Sequence, residues 1–308
     1  MSPNAAPTLD ARIVAVIPCW NARRRLPAVL AALSDQVAAA LLVDNGSTDG
    51  TADWLRTATG GLPLTLIANA ENRGWPTAVN QGIVAARAMG ASAILLVNDD
   101  ARFEPGAVAA LVEALLASPR AAAASPKLCY ADRPGILNGS GGQVLPARGW
   151  AALRGAGEAD RGQYDDLLWA DYPSGAACLL RPAALDAVGL FDEAYYLYYE
   201  DADWGLRARA AGWATRYAPR GRVQHVGSAG TAGDPARRRY YNVRNRLRFA
   251  RRHAAPLGRL RAWLETLRLA AVQPLRWLWP ERRRDAEAVM LGIADHLRRR
   301  YGRSARFG

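Results

Sequence analysis

The chain has 308 residues, of which 50% are hydrophobic and 22% are charged, a composition typical of a globular protein with one large domain or two smaller ones. Its formal net charge is +12, which suits nucleic acid, an anionic membrane surface or phosphorylated small molecules as partners. The three cysteines, Cys19, Cys129 and Cys178, form no Cys-x-x-Cys or Cys/His cluster, so neither a zinc site nor a disulfide framework is predicted.

The sequence predicts no segment that is targeted to a membrane or crosses one. Residues 1–10 are rich in Ala and Pro and lack the basic start and apolar core of a signal peptide. No stretch approaches the ~20 apolar residues that a transmembrane helix requires. Scattered cysteines in apolar surroundings also favour reduced thiols. We therefore expect a cytoplasmic protein, with any membrane contact being peripheral at the inner face.

The first part of the chain predicts alternating buried strands and helices. Apolar runs that indicate strands occupy residues 12–18, 39–44, 62–68 and 93–97. Helical spacing follows each run, at residues 26–37, from 51 onward, at 76–89 and at 104–117. This alternation predicts an α/β fold with a parallel, helix-covered sheet. Polar clusters follow the strand ends, and open α/β sheets bind ligands along that edge.

The second part of the chain is less regular. Residues 139–162 predict a long loop or hairpin, residues 171–180 a strand, and residues 182–188 a short helix. The tyrosines before Glu200 indicate a half-buried strand that leads into a helix, and two short strands are predicted at 213–218 and 222–225. Arginine-rich helical sequence dominates from residue 237. We therefore predict one α/β domain over residues 1–233 and a helical C-terminal extension over residues 234–308.

Acidic residues at two strand ends have both a structural and a functional interpretation. Asp44 ends a buried strand, where it could cap the next turn or hold a ribose or base edge. Asn98, Asp99 and Asp100 follow a fully apolar strand, where adjacent carboxylates are costly without a counter-charge. Mg²⁺ or Mn²⁺, held by few carboxylates and by substrate phosphates, would supply that charge.

A histidine, an arginine and a cluster of acids also allow both a structural and a functional interpretation. His225 ends a short strand and could be a structural histidine or a further ligand of the same metal. Arg73 could be a turn residue or could contact phosphate oxygens, for which its fork is well shaped. Glu200, Asp201 and Asp203 lie where a helix is predicted to begin, and helix N-termini favour carboxylates without any catalytic role.

Seven short motifs occur in an order that resembles family 2 glycosyltransferases of the GT-A fold. They are VDNGSTDGT at 43–51, ENRG at 71–74 with NQG at 80–82, LVNDD at 96–100, SGAACLLR at 174–181, GLFDE at 189–193, YEDADWGLR at 199–207 and VQH at 223–225. The resemblance covers residues 12–228 and is greatest to the bacterial rhamnosyltransferase and galactofuranosyltransferase branch. It implies a Rossmann-like, mixed but mostly parallel sheet flanked by helices.

The resemblance implies a donor-binding role for several motif residues. Nucleotide-sugar-binding residues would be Pro18, Asp44, Asn72, Arg73, Asn98 and Asp99. Asp44 would bind the base, and Asp100 would be the metal ligand of the DXD-type motif, with His225 as the second ligand of Mg²⁺ or Mn²⁺. The chain departs from many relatives in having Asn98 where they have the first Asp. Asn98 and Asp99 would then touch ribose or metal-bound water.

The resemblance also implies the acceptor side and the reaction. Asp201 would be the general base, while Glu200 and Asp203 would position the acceptor or the base. The sugar and acceptor pocket would also include Tyr172, Ser174, Gly175, Ala176 and Trp204. The implied reaction is an inverting transfer from a nucleoside-diphosphate sugar, of the dTDP-rhamnose or UDP-hexose type, to a hydroxyl of a glycan or lipid-linked acceptor in cell-surface polysaccharide synthesis. Base and leaving group must then lie on opposite faces of the sugar.

Other functional classes predict different features. A metal-dependent nucleotidyltransferase should carry a basic, Gly-rich loop early in the chain, and residues 18–21 (PCWN) are not Gly-rich. A basic nucleic-acid-binding module should place cations and stacking aromatics across the sheet, whereas the predicted sheet edge is acidic, so no nucleic-acid partner is expected. The arginine- and tryptophan-rich extension could lie on anionic lipid or pack as a solvated helix on the α/β domain.

Overall fold

The computed structural model describes residues 12–58, 61–145, 149–227 and 233–308. Residues 1–10, which were predicted not to form a signal peptide, lie outside the described residues. The strands are β1 (Ile13–Cys19), β2 (Ala39–Asp44), β3 (Leu64–Ala68), β4 (Ala93–Val97), β5 (Ala101–Phe103), β6 (Ala121–Tyr130), β7 (Leu137–Ser140), β8 (Gly142–Leu145), β9 (Trp150–Leu153), β10 (Trp169–Ala170), β11 (Ala177–Leu180) and β12 (Ala214–His225). The helices are α1 (Leu26–Leu33), α2 (Thr51–Thr57), α3 (Trp75–Ala88), α4 (Ala107–Leu116), α5 (Pro182–Val188), α6 (Glu200–Ala210), α7 (Pro235–His253), α8 (Pro256–Ala271), α9 (Gln273–Arg276) and α10 (Pro280–Leu297), with a 3₁₀ turn at Glu193–Tyr195.

A ten-stranded sheet forms the centre of the protein, in the order β10-β12-β6-β11-β4-β1-β2-β3, with β5 attached to β12 and β7 to β6. Strand β1 is parallel to β2 and β4, and β2 is parallel to β3. Strand β11 runs antiparallel to both β4 and β6, and β12 is parallel to β6. A β8–β9 hairpin occupies part of the predicted Gly-rich loop. This mixed, mostly parallel sheet confirms the predicted fold class.

Both faces of the sheet are covered by helices, which explains why its strands are continuously apolar. In β1, Ile13, Ala15 and Ile17 point into a core with α1 and α4. Val14 and Val16 point into a second core on the opposite face, with α3, α5 and α6. All seven β1 residues are buried. The parallel strands therefore end together at one edge of a sheet that is rigidly packed on both sides.

Several strand predictions needed correction. Strands β5 and β6 were not predicted. Strand β6 begins with four alanines, a residue type that rarely favours strands. All four alanines are nevertheless fully buried. The two short strands predicted at 213–218 and 222–225 are one strand, β12, interrupted by a register shift after Ala218. Of residues 171–180, only the last four form a strand, β11.

The tyrosine run before α6 is a loop, so the prediction of a strand there was wrong. Tyr196, Tyr198 and Tyr199 have φ angles of 64°, 69° and 74°, in the left-handed region. Side chains other than glycine pay about 1–3 kcal/mol for such a conformation, which persists only where neighbours enforce it. We call residues 195–199 the tyrosine loop.

The C-terminal helices pack onto the α/β domain and onto one another. Helix α7 contributes buried residues along most of its 19-residue length and packs against α10. Tyr196 of the tyrosine loop stacks on Tyr241 of α7, with 5.0 Å between ring centroids. Among the described residues, no helix has the length and apolar content needed to cross a membrane. The division of the chain at residue 233 stays a prediction.

Candidate active site

A cleft of about 240 Å³ opens at the carboxyl ends of β1, β2 and β4, opposite the start of α6. The predicted site residues that line it are Pro18, Asn72, Asn98, Asp99, Asp100, Gly175, Ala176, Glu200, Asp201 and His225. Because β11 is antiparallel to β4, the residues just before β11 reach the same edge, and the amide of Asn98 donates to the carbonyl of Ala176 at 2.9 Å. The sheet topology thus gathers side chains from distant parts of the chain.

Asp100 and His225 are adjacent in the cleft. His225 Nε2 lies 3.1 Å from Asp100 Oδ1, and both side chains are nearly fully buried. The pairing of β12 with β5 positions the imidazole, because His225 is opposite Ala101, the residue that follows Asp100. The pairing of β5 with β12 thus brings the side chains of Asp100 and His225 together. Neither β5 nor this pairing was predicted.

The chemistry of this pair fits a divalent cation. His225 Nδ1 lies 3.0 Å from Asn138 Oδ1, which favours the Nδ1–H tautomer and leaves Nε2 with a free lone pair. In that tautomer Nε2 carries no proton, so its 3.1 Å approach to Asp100 Oδ1 is not a hydrogen bond, and Nε2 is buried without a hydrogen-bond donor among the described residues. An imidazole nitrogen with a free lone pair beside a carboxylate oxygen is a pair of ligands that would suit Mg²⁺ or Mn²⁺. No group of three such ligands occurs among the described residues, so substrate oxygens or water would complete the coordination.

Glu200 and Asp201 begin α6 and face the same cleft. Asp201 accepts hydrogen bonds from the amides of Gly175 at 2.9 Å and Ala202 at 2.7 Å. Burial raises its pKa despite these bonds. Glu200 is 6% exposed, and its Oε2 is buried without a hydrogen-bond partner in the described residues. Burial, together with the neighbouring Asp201 carboxylate, raises the pKa of Glu200 well above its ordinary value.

Amide and indole groups connect the remaining cleft walls. Trp75 Nε1 donates to Asn98 Oδ1 at 2.9 Å, which orients the asparagine that replaces an acid in this motif. Asn72 Oδ1 accepts from Asn45 Nδ2 and from the hydroxyl of Tyr196, both at 3.2 Å. The Asn72 turn is thereby joined to the tyrosine loop, so the two walls of the cleft are held in a fixed relation.

Asp99 is held by Arg25 rather than pointing freely into the cleft. The Arg25 guanidinium lies 2.9 Å from Asp99 Oδ2, which also accepts a hydrogen bond from the amide of Trp20 at 3.3 Å. Burial raises the pKa of Asp99 to about 6, although Arg25 opposes that rise. The ion pair connects the loop after β1 to the loop after β4.

Several predicted site residues lie outside the cleft lining. Asp44 is buried and accepts hydrogen bonds from the backbone amide and the hydroxyl of Ser47. These bonds cap the turn that follows β2, which is the structural role considered for this residue. Trp204 is fully buried in the core, where it stacks on Phe191 at 5.6 Å. Tyr172 and Ser174 are buried and Arg73 is exposed, and none of the three lines the cleft.

Asp203 also faces away from the cleft. It is fully buried, and its carboxylate lies 2.7 Å from His253 Nε2, 2.8 Å from Arg207 Nε and 3.2 Å from Arg252 Nη1. Burial alone would raise the pKa of Asp203, but the hydrogen bonds from His253 and Arg207 outweigh it and lower that pKa. Asp203, which was predicted to position the acceptor or the base, forms an ionic junction between α6 and the end of α7.

The aromatic and cationic residues of the cleft carry no sequence motif that predicts them. Trp20, Trp75, Tyr196 and Arg237 line it without having been predicted. Arg237 comes from α7, in the predicted extension. Two further arginines and two tyrosines follow it directly, so nothing in the pattern distinguishes it from a solvated cation; only its burial at 8% exposure does.

The sheet order, the flanking helices and the position of the cleft define the fold class as GT-A. Solved structures with this fold match nearly the whole chain. A mannosyltransferase from Pyrobaculum calidifontis, determined with GDP-Man and Mn²⁺, superposes with a TM-score of 0.56 at 17% identity, covering 95% of this chain and 89% of that one. S. aureus TarS 1-349 superposes with a TM-score of 0.52 at 15% identity, covering 94% and 89%.

Sequence comparisons give the family. The profile described as "Glycosyl transferase family 2" matches residues 14–142. An N-acetylglucosaminyl-diphospho-decaprenol L-rhamnosyltransferase of Mycobacterium tuberculosis is 31% identical over 234 residues, which cover 69% of this chain and 74% of that protein. The chain belongs to glycosyltransferase family 2 and is of the rhamnosyltransferase type. This confirms the predicted family and the predicted glycosyltransferase activity.

Proposed function

We propose that the protein transfers a sugar, with inversion, from a nucleoside-diphosphate sugar to a hydroxyl of a lipid-linked glycan acceptor. The observation that carries this proposal is the shared cleft, in which the Asp100–His225 pair and the Asp201 carboxylate both face the same space. An inverting displacement needs a group that receives charge on the leaving side and a base on the attacking side. The two sets of residues match these needs.

Asp201 is proposed as the base that takes the proton from the attacking acceptor hydroxyl. Its raised pKa makes it a stronger base than an ordinary aspartate, and the amides of Gly175 and Ala202 fix its orientation. The hydroxyl oxygen forms a bond to the anomeric carbon while the bond from that carbon to the diphosphate breaks. The sugar and acceptor are proposed to lie against Gly175, Ala176 and Glu200.

Asp100 and His225 are proposed to hold Mg²⁺ or Mn²⁺. The bound cation supplies Lewis-acid stabilisation of charge that develops on the diphosphate. Asn138 orients His225 for this role, while Asn98, Asp99 and Pro18 lie where the nucleotide would approach. Asn72, Arg73 and Asp44 remain predicted donor contacts, of which only Asn72 lines the cleft.

The relative from M. tuberculosis suggests the substrates. Its name describes an L-rhamnosyltransferase that acts on N-acetylglucosaminyl-diphospho-decaprenol. We propose that this chain likewise uses a rhamnose donor, of the dTDP-rhamnose type, and an N-acetylglucosamine acceptor joined to a polyprenol through a diphosphate. The product would serve cell-wall polysaccharide synthesis.

A polyprenol-linked acceptor implies that the enzyme works at a membrane surface. We propose that α8 and the segment 275–279 contact the inner face of the membrane peripherally. Leu260, Leu275 and Leu278 in this region are 55%, 60% and 68% exposed, and exposed arginines lie beside them. Apolar side chains with flanking cations are the pattern of a helix that lies in a lipid interface.

The experiment compares the wild type with Asp201→Asn and with Asp186→Asn, an exposed carboxylate on α5 as control. With Mn²⁺ and dTDP-rhamnose, all three should show a rise in Tm, because the donor stabilises the folded state by mass action. Transfer to the acceptor should fall about 10²–10⁴-fold in Asp201→Asn alone, the usual contribution of a general base. Near wild-type transfer by Asp201→Asn would overturn the base assignment. No Tm response to any nucleotide sugar, with or without Mn²⁺, would overturn the proposed function.

A further inference from the structure

Arg237 is a buried cation that faces the active-site cleft. It lies in the first turn of α7 and is 8% exposed. Its guanidinium sits over the ring of Trp20 at 5.0 Å and over that of Tyr196 at 5.9 Å, both of which line the cleft with it. The two rings hold the guanidinium plane in place without neutralising its charge.

The guanidinium has no acidic partner within the described structure. The only side-chain hydrogen bond that it donates runs from Nη2 to the hydroxyl of Tyr196, at a long 3.4 Å, and its Nε is buried without a partner. Two other arginines of the same helix have stronger partners: Arg244 donates to the carbonyls of Gly302 and Tyr195, and Arg248 forms an ion pair with Asp192, although its Nε is also without a partner in the described residues. Burying a charge without a counter-charge is costly, so this position is expected to serve an anion that enters the cleft.

We propose that Arg237 binds a diphosphate group in the cleft. This inference rests on the proposed function and adds a residue from the C-terminal extension to the site. The guanidinium presents parallel N–H donors that match two oxygens of a phosphate, which a single ammonium cannot do. The carboxylates of Asp100 and Asp201 also line the cleft and repel an anion, so a diphosphate needs a fixed cation there beyond any bound metal.

A diphosphate could reach Arg237 from either substrate. One source is the nucleoside diphosphate of the donor, which becomes the leaving group. The other is the diphosphate that joins the acceptor sugar to its polyprenol. The recognition chemistry is the same for both, and measurements on the two substrates separate them.

The test uses Arg237→Gln and Arg237→Lys in the full chain, with Arg238→Gln, the exposed neighbour on α7, as the matched control. Titration calorimetry gives the Kd of dTDP with Mn²⁺, and steady-state kinetics give KM for a short-chain polyprenyl-diphosphate-linked N-acetylglucosamine. Loss of a charge-assisted contact should weaken the affected ligand about ten- to a hundredfold. Arg237→Lys should recover only part of that loss, and Arg238→Gln should match the wild type.

The two measurements together show which substrate supplies the diphosphate that Arg237 binds. A raised Kd for dTDP places the donor diphosphate on Arg237, and an unchanged Kd with a raised acceptor KM places the acceptor diphosphate there. A wild-type Kd and a wild-type KM in Arg237→Gln would overturn the inference. If the wild type itself binds no dTDP, the proposed function fails instead.

Thermal unfolding separates binding from a structural role. Removing a buried charge that has no counter-charge should leave the Tm of Arg237→Gln equal to or above that of the wild type. A lowered Tm that accounts for the loss of binding would mean that Arg237 only supports the tyrosine loop, which would also overturn the inference.

Discussion

Glu200 and Asp201 are consecutive carboxylic acids whose surroundings give them different protonation behaviour. Two backbone amides donate to the Asp201 carboxylate and favour its charged form, whereas Glu200 Oε2 is buried without any donor in the described residues. Neighbouring acids placed in unlike environments separate their pKa values, and the one with the higher pKa keeps the proton. We interpret Glu200 as the neutral member of the pair, which lets Asp201 carry the charge that a base needs.

A stability measurement tests the neutral state of Glu200. Folding raises the pKa of Glu200 well above the ordinary value for glutamate, because the side chain is buried beside the Asp201 carboxylate. The folded state therefore binds more protons between these two values, and wild-type stability should fall as pH rises through this window. Glu200→Gln lacks this loss, so its Tm advantage over the wild type should grow from pH 5 to pH 8. Glu113→Gln, at an exposed site, is the control, and a Tm difference for Glu200→Gln that does not change with pH would contradict the interpretation.

At the residue scale, motif order predicted positions in the chain but not the direction of each side chain. Asp100, His225 and Asp201 were singled out, and all three line the cleft. The resemblance placed Asp203 and Trp204 in the same site as Asp201, yet their side chains lie in an ionic junction and in the core. The direction of each α6 side chain depends on how the helix packs against α5 and α7. These contacts join residues that are distant in the chain, so the local sequence does not predict them.

At the element scale, the feature on which the site depends is the support of the tyrosine loop by α7. Asn245 is fully buried, and its Nδ2 lies within hydrogen-bonding distance of the carbonyls of Tyr195 at 2.9 Å, Leu197 at 2.7 Å and Tyr198 at 3.1 Å. These contacts hold a loop with left-handed tyrosines in place, and α6 with its carboxylates begins directly after it. A helix assigned to the extension thus supports the loop that leads into Glu200 and Asp201.

Asn245→Ala should therefore reduce both stability and turnover. The buried carbonyls lose their donor, which costs about 1–3 kcal/mol of unfolding free energy. Asn245→Asp should be at least as harmful, since a carboxylate cannot donate to a carbonyl, while Asn242→Ala on the outer side of α7 should resemble the wild type. Urea unfolding and kcat report the two effects. If Asn245→Asp kept the wild-type kcat, the loop would not depend on these bonds.

Element prediction succeeded where hydrophobic pattern and propensity agree. The bounds predicted for β2, β4 and α5 match the structure because each is a compact apolar run with clear turn residues at its ends. The alanine-rich β6 was missed because tertiary burial, not propensity, makes it a strand. The tyrosine loop has strand-like composition but is held in a turn by α7, a contact that is formed across about 50 residues of chain and cannot be read from local sequence.

At the scale of the whole molecule, α8 is an amphipathic helix that buries its small residues and exposes its leucines. Its small residues, Gly258, Ala262 and Thr266, recur every four positions and are buried. On the opposite face, Leu257, Leu260, Leu264 and Leu267 are 45–56% exposed. A helix in a globular protein normally buries its leucines, so the exposed leucine stripe is an unusual apolar surface and supports the proposed membrane contact.

Charge distribution points to the same surface. The cleft concentrates acids, while the net charge of the chain is +12, so positive charge lies elsewhere, much of it in the extension. Exposed arginines such as Arg259 and Arg268 accompany the leucine stripe, and the exposed Trp277 and Trp279 follow it. Tryptophan favours the lipid headgroup region and arginine favours anionic lipid. This face would keep the cleft close to an acceptor whose lipid tail remains in the bilayer.

The double substitution Leu260→Glu with Leu264→Glu should abolish binding to vesicles that contain phosphatidylglycerol. Each leucine that stays out of the bilayer forfeits about 1.5–3 kcal/mol, and the added carboxylates are repelled by anionic lipid, so the partition coefficient should fall more than tenfold. Co-sedimentation measures it, with Val84→Glu, at an exposed apolar site on α3, as control. Transfer to a short-chain soluble acceptor should be unchanged, because neither leucine lines the cleft. Wild-type protein that fails to sediment with these vesicles even at low salt would rule the surface out, and equal sedimentation of the double variant would place the contact elsewhere.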